Sequence, residues 1–435
     1  MSSGQCDAIV IGAGIIGGAI ALELSRQQRD VVVIDAWPAP GMGSTSASSA
    51  IVRVHYTRRN SVAAARDCYF DWLAWPEYLG FDDPQGTITL VNTGALVLDG
   101  TEALRRAFTS NLDSMDIDYE HLDATELGHN FPALDARVYG PPALPDSDAF
   151  WKGEGEPLGG FYYRDAGYVD DPQLAARNLC AAAVALGAII RYEERVTTIL
   201  QKQDRVAGVR LASGANLLAP VVVNAAGPAS DLLNVLAGVT ADMSVRGRPL
   251  RTETHELPAP DGFALGDGGT FVTDLDLGVA FRPQGNGRLH VSSIEPACDP
   301  VEWVDDPWNF DTAATDAAYT RQTRRVGRRI PSLRIPNRPV GVGALYDVTP
   351  DWTPIFDRSS LDGFYLACGT SGNAFKIAPM AGRAIAAIIS ATEAGYDHDS
   401  HPVQLHAAHS DIDIDLGSFS RLRCVDAASP RNVIA

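Results

Sequence analysis

The segment DAIVIGAGIIGGAIALELS, with VVVID shortly after it, constrains the fold more tightly than any other part of this chain. Its apolar run predicts a strand, its glycines a turn, the next apolar stretch a helix, and VVVI a second strand closed by Asp35. Gly12, Gly14 and Gly17 stand at G-x-G-x-x-G. The first glycine allows a tight turn, the second lets backbone approach a pyrophosphate, and the third lets the helix lie close to the sheet. A helix starting there aims its free N–H groups and positive dipole end at phosphate. Asp35 follows about 20 residues on, where an acid binds a ribose hydroxyl pair and repels a 2′-phosphate. Glycine turns are common in ordinary loops, so the motif alone is weak. With both strands, the helix and the acid in place it predicts a dinucleotide site, disfavours NADP, and leaves NAD and FAD open.

At 435 residues the chain exceeds the roughly 250–300 residues that one hydrophobic core serves, so two domains are expected. A net charge of −19 disfavours nucleic acid, whose phosphates need a basic face. One buried Arg or Lys can still set a local positive potential, so an anionic small substrate stays open. The apolar run at 8–22 lacks a basic segment before it and carries the dinucleotide glycines, which argues against a signal peptide. No other stretch is read as approaching the ~18 apolar residues of a membrane span, and a cytoplasmic protein without a membrane span is expected. Cys6, Cys68, Cys180, Cys298, Cys368 and Cys424 are scattered without C-x-x-C, as expected of buried free thiols.

Along the chain, residues 36–60 form a small-residue, hydroxyl-rich loop directly after Asp35, suited to wrapping a ligand with N–H and O–H donors. SVAAARDCYFDWLAWPEYL has helical spacing, and TITLVNTGALVL alternates like strands. EALRRAFTSNLDSM and DPQLAARNLCAAAVALGA predict helices, the latter with Pro172 in its first turn and Gly187 at its end. LLAPVVVNAAGPASDLL reads as strand, small-residue turn and helix. Residues 245–300 read as antiparallel strands, 311–328 as an Arg-rich helix, and GFYLACGTSGNAFKIAPMAGRAIAAII as strand, glycine turn and helix. Parallel elements at the start, middle and end, with antiparallel material between, predict an α/β (α+β overall) chain. A discontinuous Rossmann-like nucleotide domain would comprise 1–90, 150–240 and 340–395. An inserted antiparallel β-rich substrate domain would comprise 91–149 and 241–339. Residues 396–435 would pack as a tail on the nucleotide domain.

Five motifs in this order resemble the D-amino-acid oxidase / sarcosine oxidase / dimethylglycine dehydrogenase superfamily of FAD-dependent amine oxidoreductases. They are the fingerprint with Asp35, PGMGSTSASSAIVRVHY with its R-x-x-Y, DAGYVDDPQLAARNL, VNAAGPAS, and LYDVTPDWTPIFD followed by GFYLACGTSGNAFKIAPMAGRA. The resemblance runs from about Asp7 to Ile389 and implies FAD rather than NAD. It implies that Gly12, Gly14, Ile16, Gly17 and Asp35 hold the ADP half, and that Ser44, Thr45, Ser49 and Ala50 line the pyrophosphate and flavin. Val196 would lie on a strand meeting the adenine, and Gly227 against the cofactor. Gly369, Ser371, Gly372, Asn373 and Lys376 would surround the flavin. Arg53 and Lys376 match positions that hold a substrate carboxylate in sarcosine oxidase-like members. His55, Tyr56 and Tyr346 are further candidates for the substrate side, each equally readable as a core residue.

Two departures qualify the match. Ala344 stands where covalent-flavin members carry Cys, and no His lies between Asp35 and Arg53, so non-covalent FAD is expected. Asn373 replaces a frequent His and Thr370 a bulkier residue, which implies a roomier or more polar substrate side. Of the lysines Lys152, Lys202 and Lys376, none matches the oxygen-activating position, which leans the reading toward a dehydrogenase or slow oxidase. The electron acceptor is oxygen or a redox partner.

The implied reaction is oxidation of an amine or amino acid, favouring an N-methyl or other secondary or tertiary amino acid, with hydride passing to flavin and the imine then hydrolysed. The rivals are a primary D-amino-acid dehydrogenase, a flavoprotein subunit active only in a hetero-oligomer, and an NAD-binding protein without flavin. Without the resemblance, Arg53 reads as a surface cation or a helix-start salt bridge. Arg282 reads as a sheet-surface Arg, and RRVGRRI as a helix face balancing local acids, with a subunit contact as the alternative. His398, His401, His406 and His409 read as part of an irregular solvated tail rather than a metal cluster.

Overall fold

Every side chain of β1 (Ala8–Ile11) and β2 (Val31–Ile34) is buried, which a strand achieves only where both faces of its sheet are covered. The computed structural model describes residues 5–99, 101–152, 155–425 and 429–435. In it the two strands pair in parallel across α1 (Ile15–Arg26). The six-stranded sheet runs 355–358, 364–368, 221–224, β1, β2, 189–191. Its pairs are parallel except 355–358 with 364–368. On one face α1 packs against the helices Ala378–Glu393 and Pro172–Ala185. On the other lie the small sheet 196–202, 205–211, 216–218 and the helix Ser230–Ala237.

A nine-stranded, mainly antiparallel sheet stands beside this layer. Its longest strand, Arg248–Pro258, pairs with Gly341–Val348, Arg288–Ser293 and Glu302–Trp303. The sheet continues through 279–284, 271–274, 95–98, 160–163 and 120–122. Alternation sorts its two faces. Leu257, Val272, Val279, Phe281, Leu289 and Val291 form a core with the helix Asp316–Arg329. Thr252, Thr254, Thr273, Ala280, Ser292 and Tyr346 occupy the alternate positions and look toward the six-stranded layer. Strands 160–163 and 341–348 belong to this sheet, although the sequence boundaries put both segments in the nucleotide domain. Their pairing partners, 95–98 and 248–258, are far away in sequence, and local pattern carries no sign of that.

Three expectations are corrected. The tail is not irregular: Gln404–Ala407 and Ile412–Asp415 form an antiparallel hairpin, and Leu416, Phe419 and Ile434 are buried. His398 is buried beside Asp357 at 3.3 Å. The Arg-rich helix begins at Asp316, capped by Thr315, and two arginines of RRVGRRI, Arg325 and Arg329, are fully buried, where they balance Asp299, Asp274 and Asp276. Phe375–Glu393, 19 residues, is long and apolar enough to cross a membrane, a length missed because glycine and proline interrupt its sequence. Here it is mostly buried against α1 and the strand 355–358.

Candidate active site

Gly12 sits at φ 110°, and a Cβ there would lie 2.3 Å from the Ala225 carbonyl oxygen. Only glycine therefore lets the first turn close on the turn after strand 221–224. A Cβ on Gly17 would lie 1.9 Å from Gly12 O, which fixes the third glycine by helix–turn packing. The result is a cavity of about 480 Å³ between the two sheets. Its lining includes Gly12, Gly14, Ile16, Asp35, Ser44, Thr45, Val196 and Gly227 on the parallel layer. Thr252, Thr254, Ala344 and Tyr346 face them from the nine-stranded sheet.

Donors and acceptors in this cavity are held in place by local bonds. Asp35 accepts from Ala13 N and Trp37 N, and burial raises its pKa above the usual carboxylate value. Thr45 Oγ1 accepts from Ile15 N at 3.1 Å, at the open end of α1. Ser44 Oγ donates to Leu345 O at 2.6 Å. Asp347 accepts from Gly369 N through one oxygen, while its buried Oδ1 has no partner. Burial pushes its pKa up to about 7. In the 369–376 turn, Thr370, Gly372, Ala374 and Phe375 line the cavity. Gly369, Ser371 and Asn373 support the turn from behind: Ser371 N donates to Asp347 O, and Asn373 Nδ2 to Trp352 O. A Cβ on Gly372 would strike the Tyr346 ring at 2.4 Å, so this glycine lets that ring lie against the turn.

A second, smaller cavity of about 60 Å³ adjoins it, sharing Ser48, Tyr346, Gly372 and Phe375. Ser49, Ala50, Arg53, Thr273, Ala280, Ser292 and Lys376 are among the rest of its lining, with Val433 and Ile434. Arg53 is 4% exposed. It donates to the carbonyls of His55 and Val433 and lies 4.4 Å over the Tyr56 ring. Lys376 is equally buried; Nζ donates to Tyr56 Oη at 3.0 Å and Asn373 O at 2.7 Å. Burial and the neighbouring Arg53 charge hold its pKa well below the ordinary lysine value. Among the described residues no carboxylate lies within ion-pair distance of either cation. Stacking fixes the turn that carries Lys376: Phe375 lies over Trp72 at 5.3 Å, and Trp72 Nε1 donates to Lys376 O at 2.7 Å.

Residues 7–388 match the family described as FAD dependent oxidoreductase. The chain belongs to that family. It is 25% identical to the peroxisomal sarcosine oxidase of Homo sapiens over 402 residues, covering 90% of this chain and 94% of the relative. It is 23% identical to the sarcosine oxidase subunit beta of Arthrobacter sp over 394 residues, covering 89% and 88%. Its backbone is similar to that of L-proline dehydrogenase from P. horikoshii, with a TM-score of 0.73 at 19% identity, covering 97% and 98% of the two chains.

The larger cavity suits FAD chemically. Glycine backbone and the α1 N-terminus can take the pyrophosphate, and Asp35 can take ribose hydroxyls. The unpartnered Asp347 Oδ1 is a buried polar atom that such a ligand's donor can satisfy. Not every candidate reaches a cavity. His55 lines neither: its two ring nitrogens bond Tyr163 Oη and Thr273 Oγ1, and burial holds its pKa far below the usual value. Tyr56 lies behind Lys376, and its hydroxyl donates to Asn373 O. Arg282 is buried rather than on a sheet surface. It stacks 3.7 Å over Tyr168 and donates to Ser49 O, while Ser49 Oγ meets His290 Nε2 at 2.8 Å. Sequence reading missed Thr252, Thr254, Thr273, Ser292 and the pair Val433–Ile434. The T-E-T alternation after Arg251 was the one usable sign of the first two.

Proposed function

We propose that this flavoenzyme oxidises the C–N bond of a carboxylate-bearing amine, with an N-methyl or other secondary or tertiary amino acid favoured. One observation carries the reading: Arg53 and Lys376 are both buried at one small cavity beside the FAD cavity, with no acidic partner among the described residues. A buried unpaired cation is costly, and an anionic ligand offsets that cost. Bound FAD supplies the two-electron acceptor. Arg53, with a planar fork, and Lys376, with a point charge, hold the carboxylate. Tyr346 and Phe375 fix the substrate's position between the cavities, and the small residues Ala280 and Ser292 leave room for its alkyl groups. Closing the site expels water and strengthens both ionic contacts.

FAD is held without a covalent bond, since Ala344 has no nucleophile and Ser44 to Ala50 contain no His. The substrate-facing surface of the nine-stranded sheet presents threonine, serine and tyrosine rather than lysine, which favours a dehydrogenase or slow oxidase over a fast oxidase. The likeness to a sarcosine oxidase beta subunit supports a second reading, a subunit active only with a partner. Anaerobic mixing of the FAD-loaded chain with N-methyl and D-amino acids, followed by the flavin spectrum, tests the proposal. N-methyl amino acids are expected to bleach the flavin fastest. Bleaching by primary D-amino acids alone would move the substrate class. A yellow protein that no amine bleaches, until a partner is added, would favour the subunit reading.

A further inference from the structure

The small cavity has walls of three kinds. Thr273, Ala280 and Ser292 belong to strands paired on both sides. Ser49, Phe375 and Lys376 belong to turns tied down by Arg282, His290 and the Trp72 stack. Val433 and Ile434 belong to neither a helix nor a strand. Among the described residues their segment, Ser429–Ala435, is bonded to the rest by Ser429 Oγ to Asp351 O at 2.9 Å, Thr57 N to Ile434 O at 3.4 Å and Arg53 to Val433 O, and Ile434 packs into the main core. Ala435 packs with Leu250, Val348 and Trp352. The segment's Val433 carbonyl thus occupies a donor of the very guanidinium assigned above to the substrate carboxylate. A carboxylate is the better partner, since it adds a full opposite charge and can meet the guanidinium with two oxygens, where a carbonyl offers a dipole and one. At about 60 Å³ the chamber has room for roughly four to six waters. A small amino acid fills it, and anything larger must move a wall.

We propose that Ser429–Ala435 is a displaceable wall of the substrate chamber, whose Val433 carbonyl holds Arg53 until a substrate carboxylate replaces it. This rests on the carboxylate role of Arg53. The segment then selects for ligands that carry the charge needed to evict it, and it limits the size of those that enter while it stays. Arg431 is exposed, but Asn432 and Val433 after it are half-buried and Ile434 is buried, so trypsin can seat the Arg431–Asn432 bond only once the segment leaves the wall.

The test uses the full FAD-loaded chain with acetate and its neutral analogue acetamide. Acetate is expected to speed release of the Asn432–Ala435 peptide by about tenfold or more, and acetamide to leave it unchanged. A chain with a stop codon in place of Ser429 is expected to bind acetate about tenfold more tightly, read from the flavin spectrum. Equal cleavage with and without acetate, in a full chain that binds acetate through Arg53, would overturn the wall and spare the carboxylate site. Equal acetate binding by the parent and an Arg53→Met chain would overturn both. Should the shortened chain not fold, cleavage of the full chain still decides.

Discussion

Two pairs of buried cations lie on opposite faces of the nine-stranded sheet. Behind it, Arg325 and Arg329 are each 0% exposed and each answered by acids. Arg325 meets Asp299 at 2.6 Å, and Arg329 meets Asp274 at 2.7 Å and Asp276 at 2.9 Å. In front of it, Arg53 and Lys376 are almost as buried, yet their partners are carbonyls and a phenol. The rear pair is charge-balanced without a ligand and joins helix to sheet. The front pair leaves positive charge uncompensated, which lowers the stability of the ligand-free chain and favours an anion. Burial alone does not separate a structural cation from a binding one; the charge of its partners does.

The largest effect expected from this contrast is at the rear. Arg329→Met leaves Asp274 and Asp276 buried without a cation, so it should cost about 3–5 kcal/mol of stability, seen as a large fall in the thermal midpoint. At the front, Arg53→Met leaves no acid behind. It should shift stability by no more than about 1 kcal/mol, of either sign, while weakening a carboxylate ligand roughly 100-fold, the scale of a charge-assisted contact. If Arg53→Met unfolded the chain and Arg329→Met did not, the contrast would be inverted.

The smallest effect concerns Lys376. Its pKa is depressed in the ligand-free chain, and a bound carboxylate raises it again. Carboxylate affinity should be greatest below the ligand-free pKa, fall as pH rises through it, and level off above the pKa of the complex. Lys376→Met should remove that part of the pH dependence and cost roughly tenfold in affinity at low pH. Titrating acetate affinity against pH in both proteins checks it.

What was legible in the sequence was local or matched by motif. β1, α1, β2 and Asp35 lie within 30 residues, and their spacing alone specifies the turn. Arg53, Tyr56 and Lys376 are brought together from positions 320 residues apart only by the motif match, and Lys376 Nζ does reach Tyr56 Oη. His55 could not be sorted from these neighbours, because whether its ring is satisfied depends on Tyr163 and Thr273. Arg282 looked like a surface residue because Tyr168, which makes its burial tolerable, stands far off in the chain, and the depth at which Arg329 meets its acids was hidden because Asp274 and Asp276 stand far before it. Val433 and Ile434 carry no motif; only the folded chain puts them against Arg53.

The position of β1 has a consequence during synthesis. Its second neighbour, Val221–Asn224, is made about 200 residues later, a delay of roughly 10–40 s at ordinary translation rates. Through that interval an apolar strand edge is available to any other nascent chain, and the nucleotide fingerprint, though already made, has no opposing turn to close on. Production of this protein should therefore be limited by what shields the emerging amino-terminal hundred residues, and flavin added early cannot substitute for that shielding.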